Sequence, residues 1–403
     1  MSMAITSIKK LPDFNNTIVA FSDKSDSELR KMAWLFRLMK NETLVSVLSK
    51  LSLKAVEWRI PLADYLVKKT IFYQFCGGTS LEDCIPTIKR LAKKNTLTIL
   101  DYGAEGKNEE SEFDKVVNIS LQAIALASQE ASVPVISVKI SGMVSNSILE
   151  KKHEGAPLTL EDEQAFQRLK SRLHTICKAA KENNIGLFID AEETWMQKPI
   201  DELALELMIE YNSEKAIVYN TYQLYLKDKL EQLKKDHQYI ASHNKFFGAK
   251  LVRGAYLDKE RKRAEDLGYP SPVNDTKIDT DRDFNNAIHY CVENYETIYT
   301  CCASHNTDSN ILMAKLILEK NIPLNHPHLN FCQLYGMSDF ITFNLGEAGY
   351  NASKYVPYGA VKDVIPYLIR RAEENSSVTG EVGRELSVIL AEIERRNKAA
   401  RKQ

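Results

Sequence analysis

The sequence has few of the features that mark a secreted, membrane-spanning or nucleic-acid-binding chain. Its seven cysteines contain no Cys-x-x-Cys pair, and Cys301 and Cys302 are adjacent within an apolar run. We therefore expect neither a disulfide framework nor a zinc finger, and most cysteines should be reduced core residues. No apolar run approaches the ~20 residues of a membrane span. The formal net charge of -1 gives no general attraction to nucleic acid, so no nucleic-acid partner is expected.

Targeting and catalytic signatures are also missing. The first residues lack the apolar region of a signal peptide, and Asp13 and Asp23 come early for a transit peptide. We expect a cytoplasmic protein, peripheral on an inner membrane at most, or a mitochondrial one if the source is eukaryotic. No Gly-rich dinucleotide fingerprint, phosphate loop or serine nucleophile elbow is present. His326 and His328 resemble a metal pair but lack the spacing to further ligands, so no metal is expected.

The sequence changes character near residue 95. Residues 1–95 are predicted to form a helical arm, in which Ser25 and Glu28 have the spacing of a capping box. No strand-like run interrupts this arm. Its further helical patterns lie near residues 43–58, 61–74 and 81–94.

After residue 95, eight short apolar or β-rich runs alternate with longer amphipathic helical patterns. The runs are 97–102, 135–140, 186–190, 216–220, 248–253, 297–304, 329–334 and 354–358. Alternating strands and helices imply parallel strands joined by crossovers, and eight such units fit a (β/α)8 TIM-like barrel of ~250 residues. We therefore predict an α/β fold with a helical arm at 1–95, a barrel at 96–378 and a C-terminal helix with a basic tail at 379–403. A doubly wound sheet is the alternative, disfavoured by the missing fingerprint.

Residues 367–375 are the most informative segment. On a helix, Tyr367, Arg370, Arg371 and Glu374 fall at i, i+3, i+4 and i+7, which is one face. Two guanidinium groups beside one carboxylate leave excess positive charge, and guanidinium binds carboxylate or phosphate in a bidentate manner. The segment predicts a clamp for a small anion. A solvated helix face with an Arg370–Glu374 ion pair remains open from this segment alone.

Polar side chains end nearly every predicted strand, where a barrel of this kind builds its active site. The residues at these ends are Lys139, Asp190, Asn220, Tyr222, Gln223, Lys250, Arg253, Tyr256, Ser304, His305, Asn306, Gln333 and Tyr355. Apolar walls are expected from Leu251, Leu334 and Met337. Each polar residue has a structural explanation if taken singly, such as an N-cap for Asp190. Together they suit an enclosed pocket for a small, partly apolar carboxylate, with the chemistry carried by a cofactor that the pattern cannot name.

Four motifs, taken in order, resemble those of the proline dehydrogenase family in its stand-alone form. They are residues 250–256, 303–306, 355–359 and 367–375. The resemblance implies a distorted (β/α)8 barrel that binds FAD and oxidises L-proline to Δ1-pyrroline-5-carboxylate by hydride transfer from C5 to flavin N5. It also implies a quinone, usually a membrane quinone, as electron acceptor. A separate pyrroline-5-carboxylate dehydrogenase is then a possible downstream partner.

The resemblance also assigns roles to individual residues. Arg370 and Arg371, with Lys139, would bind the proline carboxylate, while Glu374 would brace Arg370 and hydrogen-bond Tyr256. Lys250 would lie beside flavin N5. The other pocket residues would be Asp190, Leu251, Leu334, Tyr355 and Tyr367. The FAD contacts would be Asn220, Tyr222, Arg253, Gly254, Ala255, Ser304, His305, Asn306 and Gln333.

Three alternatives stay open at this point. Tyr355 stands where relatives that oxidise hydroxyproline tend to have a smaller residue, so we expect proline to be preferred over hydroxyproline. A cofactor-free lyase barrel could instead use Lys139 or Lys250 as a Schiff base. A binding protein without catalysis is the third reading.

The C-terminal segment, 381–403, has an amphipathic helical pattern and ends in a basic tail. We expect this helix to pack on the barrel. Peripheral membrane contact through the tail is the lesser alternative.

Overall fold

A closed barrel of eight parallel strands forms the centre of the molecule. The computed structural model describes residues 11–41, 71–103, 109–377 and 381–402, without the side chains at 366, 372–377, 381 and 382. The strands are β1 (Thr96–Tyr102), β2 (Val135–Val138), β3 (Gly186–Ile189), β4 (Val218–Gln223), β5 (Phe247–Val252), β6 (Ile298–Ala303), β7 (Leu329–Leu334) and β8 (Ala352–Tyr358). Each strand pairs with the next in chain order, and β8 pairs with β1 along its full length. The predicted TIM-like barrel is confirmed.

Helices cover the outside of the barrel, and further helices precede the first strand and follow the last. They are α1 (Thr17–Phe21), α2 (Asp26–Met39), α3 (Tyr73–Phe75), α4 (Leu81–Ala92), α5 (Glu110–Gln129), α6 (Asn146–Glu154), α7 (Leu160–Glu182), α8 (Thr194–Tyr211), α9 (Lys229–Ser242), α10 (Leu257–Leu267), α11 (Lys277–Glu293), α12 (Thr307–Glu319), α13 (Asp339–Glu347), α14 (Val361–Ser377) and α15 (Glu381–Ala400). Ser25 caps α2, and both hydrogen bonds of the predicted capping box with Glu28 are present. The helices predicted at 43–58 and over most of 61–74 lie outside the described residues.

Two apolar layers hold the barrel. Because alternate residues of a strand point to opposite faces, one set of side chains fills the interior and the other packs under the helices. The interior cluster includes Phe188, Tyr219 and Tyr355. The larger core lies between strands and helices. All seven cysteines are buried and free, as predicted for core residues.

One strand is shifted from its predicted position. The pattern placed β4 at 216–220, whereas the strand runs Val218–Gln223. The side chain of Asn212 accepts hydrogen bonds from the backbone N–H groups of Ile217 and Val218 at 2.9 and 2.8 Å, so a side chain satisfies these two donors at the entry to the strand. The strand then extends through Gln223, which pairs with Val252 of β5.

The two ends of the chain pack against each other. Helix α15 contacts α1, α2 and α14. Its buried Glu392 accepts a hydrogen bond from Thr17 at 2.8 Å and from Arg395 and Arg396 at 2.7 Å. Arg396 also reaches Asp26 at 2.8 Å. The C-terminal helix is therefore tied to the N-terminal arm as well as to the barrel.

Candidate active site

A chain of ion pairs crosses the carboxyl end of the barrel. Lys139, directly after β2, places its ammonium nitrogen 2.9 and 3.1 Å from the two carboxylate oxygens of Asp101 on β1. The same nitrogen lies 3.3 Å from Oδ2 of Asp190, which follows β3. Asp190 accepts hydrogen bonds from Lys250 on β5 at 2.6 Å and from the Tyr355 hydroxyl on β8 at 2.5 Å. Two ammonium groups therefore face two carboxylates inside the barrel.

Burial and charge set the protonation of this network. Burial raises the pKa of Asp101, and Lys139 opposes that rise. Burial acts on Asp190 as well, but the ammonium groups of Lys250 and Lys139 outweigh it and lower the pKa of Asp190, which is ionised at neutral pH. Burial and the two carboxylates raise the pKa of Tyr355 well above its ordinary value. Its hydroxyl therefore stays protonated and can donate to Asp190.

Helix α14 brings the two predicted arginines to the same end of the barrel, since it follows β8. The guanidinium carbon of Arg370 lies 5.7 Å from the centre of the Tyr256 ring, and that of Arg371 lies 5.4 Å from the Tyr367 ring. Both tyrosines are buried, and Arg371 is only 9% exposed. A fully solvated helix face, the open alternative from sequence, is thereby excluded. Glu374 falls within α14, but its side chain lies outside the described part of the structure.

The loop after β5 holds another cation in a fixed position. Arg253 donates to Asp281 at 2.8 Å and to the Ser304 hydroxyl at 2.7 Å. The next residue, Gly254, has a φ of +145°, and a Cβ atom there would lie 2.3 Å from the Tyr225 ring. A side chain at position 254 would therefore have to displace a ring and adopt a strained backbone. This close turn links the β5 end to the β6 end through Ser304.

His305 and Asn306 follow β6 and have different surroundings. Asn306 caps α12 by accepting a backbone hydrogen bond at 3.0 Å. The Nδ1 atom of His305 lies 2.9 Å from the Ser338 hydroxyl. Burial and the nearby cations Lys354 and Arg371 lower the pKa of His305 to about 3. The imidazole is therefore neutral at physiological pH and has a defined hydrogen-bond partner.

Four predicted site residues face away from the barrel interior. Because Lys250 points inward, its neighbour Leu251 points outward and packs in the core under the helices. Asn220 and Tyr222 donate to carboxylates on α8 and α9 at 2.9 and 2.8 Å. Gln333 accepts a hydrogen bond from a hydroxyl on α13 at 2.8 Å. The predicted pocket role of Leu251 and the predicted cofactor contacts of the other three residues therefore stay predictions.

Residues 84–384 match the family model described as proline dehydrogenase. The chain belongs to the proline dehydrogenase family. Proline dehydrogenase 1, mitochondrial, of Drosophila melanogaster is 42% identical over 59% of this chain, and the match spans 36% of the fly protein's length. Proline dehydrogenase 2, mitochondrial, of Arabidopsis thaliana is 35% identical over 82% of this chain and 79% of that protein. The carbapenem antibiotics biosynthesis protein CarD of Pectobacterium carotovorum is 32% identical over 80% of this chain and 83% of its own length.

Solved structures share the barrel of this proline dehydrogenase family member. Proline utilization A from Bdellovibrio bacteriovorus superposes with a TM-score of 0.74 at 24% identity, over 92% of this chain and 42% of that one. Proline utilization A from Bradyrhizobium japonicum superposes with a TM-score of 0.63 at 18% identity, over 95% of this chain and 44% of that one. These matches establish a common fold. The chain spans less than half the length of either protein.

Two residues beside this family member's site, Asp101 and Ser137, were not predicted from the sequence, and Gln223 was predicted only as a polar residue beyond the end of β4. Asp101 is fully buried and is the single charged residue of β1. A lone charge in an apolar strand could have indicated a site residue from the sequence. The Ser137 hydroxyl lies 3.2 Å from that of Tyr355. Gln223 follows the outward-facing Tyr222, so its side chain belongs to the inward face, and it donates to a backbone carbonyl after β3 at 2.8 Å. Only the register of the barrel strands shows that Gln223 faces inward and Tyr222 outward.

The paired histidines lie at the opposite end of the barrel. The His328 ring centre is 3.6 Å from that of Tyr299, and the His326 ring centre is 5.1 Å from that of Tyr295. Both histidines precede β7, so they lie away from the carboxyl ends of the strands. Among the residues that the structure describes, no group of three His, Cys, Asp or Glu side chains could hold a metal ion.

Proposed function

We propose that this protein oxidises L-proline to Δ1-pyrroline-5-carboxylate, with FAD as the hydride acceptor, as the first step of proline breakdown to glutamate. The observation that carries the proposal is the buried Asp101–Lys139–Asp190–Lys250 network beside the arginines of α14, in a chain of this family. A zwitterionic amino acid needs cations at its carboxylate and negative charge near its amine. The two groups of charges supply both.

The α14 arginines are proposed to hold the proline carboxylate. Arg370 and Arg371 present planar guanidinium forks that can bind it in a bidentate manner, and Lys139 supplies a third cation. Asp101 fixes the position of Lys139 before substrate arrives. The proposed walls of the pyrrolidine ring are Tyr256, Leu334, Tyr355 and Tyr367. Glu374 remains a proposed brace for Arg370.

The carboxyl ends of β5 and β6 are proposed to hold the flavin. Lys250, Arg253 and the neutral His305 offer positive charge and N–H donors, which suit the phosphates and the ring edge of such a cofactor. The further proposed contacts are Gly254, Ala255, Ser304 and Asn306. A flavin bound there would supply the electron sink that accepts hydride from C5 of the substrate ring. The task of the protein is to orient C5 and to exclude water.

Asp190 is proposed to stabilise charge that develops on the substrate. The substrate amine loses its proton, and loss of hydride from C5 then leaves an iminium cation. Asp190 is ionised and is held in place by Lys250 and Tyr355, so it adds fixed negative charge near the reacting ring. A fixed charge in a site without water stabilises a transition state more than the same charge in water does, because the surrounding groups need not reorganise during the reaction.

The alternative functions receive less support. A Schiff-base lysine must be neutral to attack a carbonyl, whereas the ammonium groups of Lys139 and Lys250 lie 2.9 and 2.6 Å from carboxylate oxygens. A relative named hydroxyproline dehydrogenase, from Xenopus laevis, is 29% identical over 93% of this chain. Tyr355 fills the interior where an added ring hydroxyl would need room, which favours proline.

We propose a membrane quinone as the electron acceptor, with peripheral membrane contact. None of the described helices is long and apolar enough to cross a membrane. In the C-terminal tail, where the sequence placed such contact, Arg395 and Arg396 bind Glu392 and Lys398 binds Glu394 at 2.6 Å, which leaves Arg401 and Lys402 exposed at its end. The tail is therefore a weaker candidate for contact than the sequence indicated.

Helix α2 offers a better surface, which we name the basic face of α2. It consists of Arg30, Trp34, Arg37 and Lys40, all exposed on one side of the helix, with Trp34 51% exposed. Among the described residues, Arg30, Arg37 and Lys40 form no ion pair. Cations around an exposed tryptophan suit the headgroup region of an anionic bilayer. The opposite side of α2 packs against α14, the helix that carries the two proposed arginines.

The product also suggests a partner. Opening of the Δ1-pyrroline-5-carboxylate ring by water gives an aldehyde, so the enzyme that consumes it must oxidise an aldehyde. We propose a pyrroline-5-carboxylate dehydrogenase as the possible downstream partner. If the two enzymes together turn over faster than two freely diffusing enzymes can, the result would support docking. If the coupled rate equals the rate expected from free diffusion, the proposed docking is wrong.

An absorbance spectrum before and after addition of L-proline tests the main proposal. A yellow protein whose flavin band bleaches with proline supports a flavin-dependent proline oxidation. A colourless protein that borohydride traps with a carbonyl substrate would instead establish the lyase. Proline affinity without electron transfer to an artificial acceptor would leave a binding protein.

A further inference from the structure

The loop after β7 is held from outside the barrel by the N-terminal helices. The side chain of Gln74 on α3 donates to the backbone carbonyl of Gly336 at 2.7 Å. Arg90 on α4 donates to the Tyr335 hydroxyl at 2.8 Å and is itself paired with Asp23 at 2.6 Å. The loop connects β7 to α13 and begins directly after Leu334, a proposed wall of the pocket. Its position therefore depends on elements that are not part of the barrel.

The other end of the loop is held by the C-terminal helix. The backbone N–H of Ser338 donates to a carboxylate oxygen of Glu385 on α15 at 2.9 Å. On the same helix, Arg384 donates to Thr307, two residues after His305, at 2.6 Å. Ser338 has a φ of +51°, so its backbone is in the left-handed region that most side chains avoid. A buried carboxylate thus supports a strained turn.

Gly336 lies directly against the backbone of α3. Its φ is +80°, and a Cβ atom built there would lie 1.8 Å from the backbone oxygen of Gln74. That oxygen belongs to the backbone, which cannot move aside as a flexible side chain can. A side chain at position 336 would therefore push the loop and α3 apart.

We propose that residues 335–338 form a latch that transmits the position of the terminal helices to His305, with Ser338 as a positioning residue. The Ser338 hydroxyl is 2.9 Å from Nδ1 of His305 and pairs with it as donor or acceptor, so it holds the imidazole in one orientation. That orientation decides where the other ring nitrogen can meet a cofactor. This inference rests on the proposed function, in which His305 contacts the flavin. In this proposal the N- and C-terminal helices, which lie outside the barrel, help to position His305.

The imidazole is suited to such control. Burial and the surrounding cations keep His305 neutral, so its Nδ1 can pair with a hydroxyl either as acceptor or as donor. Ser338 is the partner at Nδ1, and Ser338 is placed by Glu385. A shift of α15 would therefore change the hydrogen bonding of His305 without changing the residues of the pocket.

The Ser338→Gly variant removes the hydroxyl, while its backbone suits a positive φ and keeps the N–H for Glu385. Nitrogen-15 NMR of the imidazole, with the His305 signals assigned by their loss in His305→Gln, reports the hydrogen bonding of each ring nitrogen. The Nδ1 signal of His305 should shift in Ser338→Gly because its partner is removed. Flavin retention should weaken by about 2- to 10-fold, the usual value of one hydrogen bond. An unchanged Nδ1 signal in Ser338→Gly would overturn the latch.

A pair of glycine substitutions tests the contact with α3. Gly336→Ala adds a methyl group against Gln74, whereas Gly268→Ala has a similar φ of +72° and no heavy atom within 4 Å of the added methyl. Both variants carry the same kind of backbone strain. Only Gly336→Ala should shift the Nδ1 signal of His305, and equal effects of both would refute transmission through the loop. The NMR signal can be measured without turnover. A protein that fails to oxidise proline would therefore refute the proposed function, while the NMR comparison would still decide whether the loop acts on His305.

Discussion

Lys139 and Asp101 form a two-oxygen ion pair inside the barrel, with N–O distances of 2.9 and 3.1 Å. Asp101 lies on β1, and Lys139 lies directly after the adjacent strand β2. Asp101 is fully buried and makes no contact with solvent. The pair fixes the position of the Lys139 ammonium group. A cation placed in advance loses no reorganisation energy when a carboxylate arrives, so we expect Asp101 to contribute to substrate binding without touching the substrate.

Asp101→Asn should therefore lower kcat/KM for proline by at least about 30-fold, the equivalent of roughly 2 kcal/mol. The neutral amide keeps the shape of the carboxylate but removes its charge. Asp190 is then the one remaining carboxylate of the described network that pairs with the ammonium group of Lys139. Steady-state kinetics with an artificial electron acceptor measure the change. Asp275→Asn, which breaks the exposed pair with Lys227, is the matched control and should have no effect. Wild-type kcat/KM in Asp101→Asn would remove Asp101 from the site.

Arg370→Lys and Arg371→Lys should each raise KM for proline by about 10-fold or more, with a smaller effect on kcat. Lysine keeps the positive charge but cannot reproduce the bidentate fork that binds a carboxylate. Arg282→Lys, a change on the exposed face of α11, controls for loss of a guanidinium group as such. If KM stays unchanged in both α14 variants, the anion clamp is wrong.

Tyr355 should make the enzyme prefer L-proline over trans-4-hydroxy-L-proline. Its hydroxyl is held by Asp190 at 2.5 Å, and the Lys250 ammonium lies 4.5 Å from its ring centre, so the ring cannot easily move to admit an added hydroxyl. Tyr355→Ser should shift the kcat/KM ratio toward hydroxyproline by about 10-fold, as expected for relief of one steric conflict. Tyr355→Phe keeps the ring and should not shift the ratio toward hydroxyproline. Equal kcat/KM for both substrates in the wild-type enzyme would contradict this interpretation.

The sequence predicted the barrel because eight apolar runs alternate with helical patterns, and it predicted the α2 cap because Ser25 and Glu28 have the required spacing. It could not assign faces within a strand. Strands buried on both sides lack the apolar–polar alternation that reveals orientation, so Tyr222 could not be told from Gln223. The pairing of Asp101 with Lys139 depends on the register of β1 and β2, which no local pattern specifies.

The neutrality of His305 should appear in the pH dependence of stability. Its pKa is about 3 in the folded protein and near the ordinary 6.5 when unfolded, so the unfolded chain binds an extra proton between these values. The resulting penalty is absent above pH 6.5 and grows by about 1.4 kcal/mol per pH unit as the pH falls toward 3. Urea unfolding at pH 7 and pH 5 should show a smaller loss of stability in His305→Gln than in wild type. His243→Gln, at an exposed position, should follow the wild type. Parallel curves for all three proteins would mean that His305 is not held neutral.

The basic face of α2 should bind anionic bilayers. Each cation near such a surface contributes roughly 1 kcal/mol, so Arg30→Glu, Arg37→Glu and Lys40→Glu together should weaken binding to phosphatidylglycerol-containing vesicles by at least about 100-fold. Vesicle co-sedimentation measures the affinity, and pure phosphatidylcholine vesicles should bind poorly. Activity with an artificial soluble acceptor should stay at the wild-type level, because these residues lie outside the proposed pocket.

Reversal of Lys178, Lys181 and Lys235 to glutamate changes the net charge by the same amount on other exposed positions and is the matched control. If this control weakens vesicle binding as much as the α2 variant, the attraction is a property of total charge, and the basic face is not the membrane contact. If the wild-type protein binds polyglutamate but not vesicles, the face serves an acidic protein instead. Because Trp34 lies at the centre of the face, a blue shift of its fluorescence with anionic vesicles, lost in Trp34→Phe, would place the helix at the headgroup boundary.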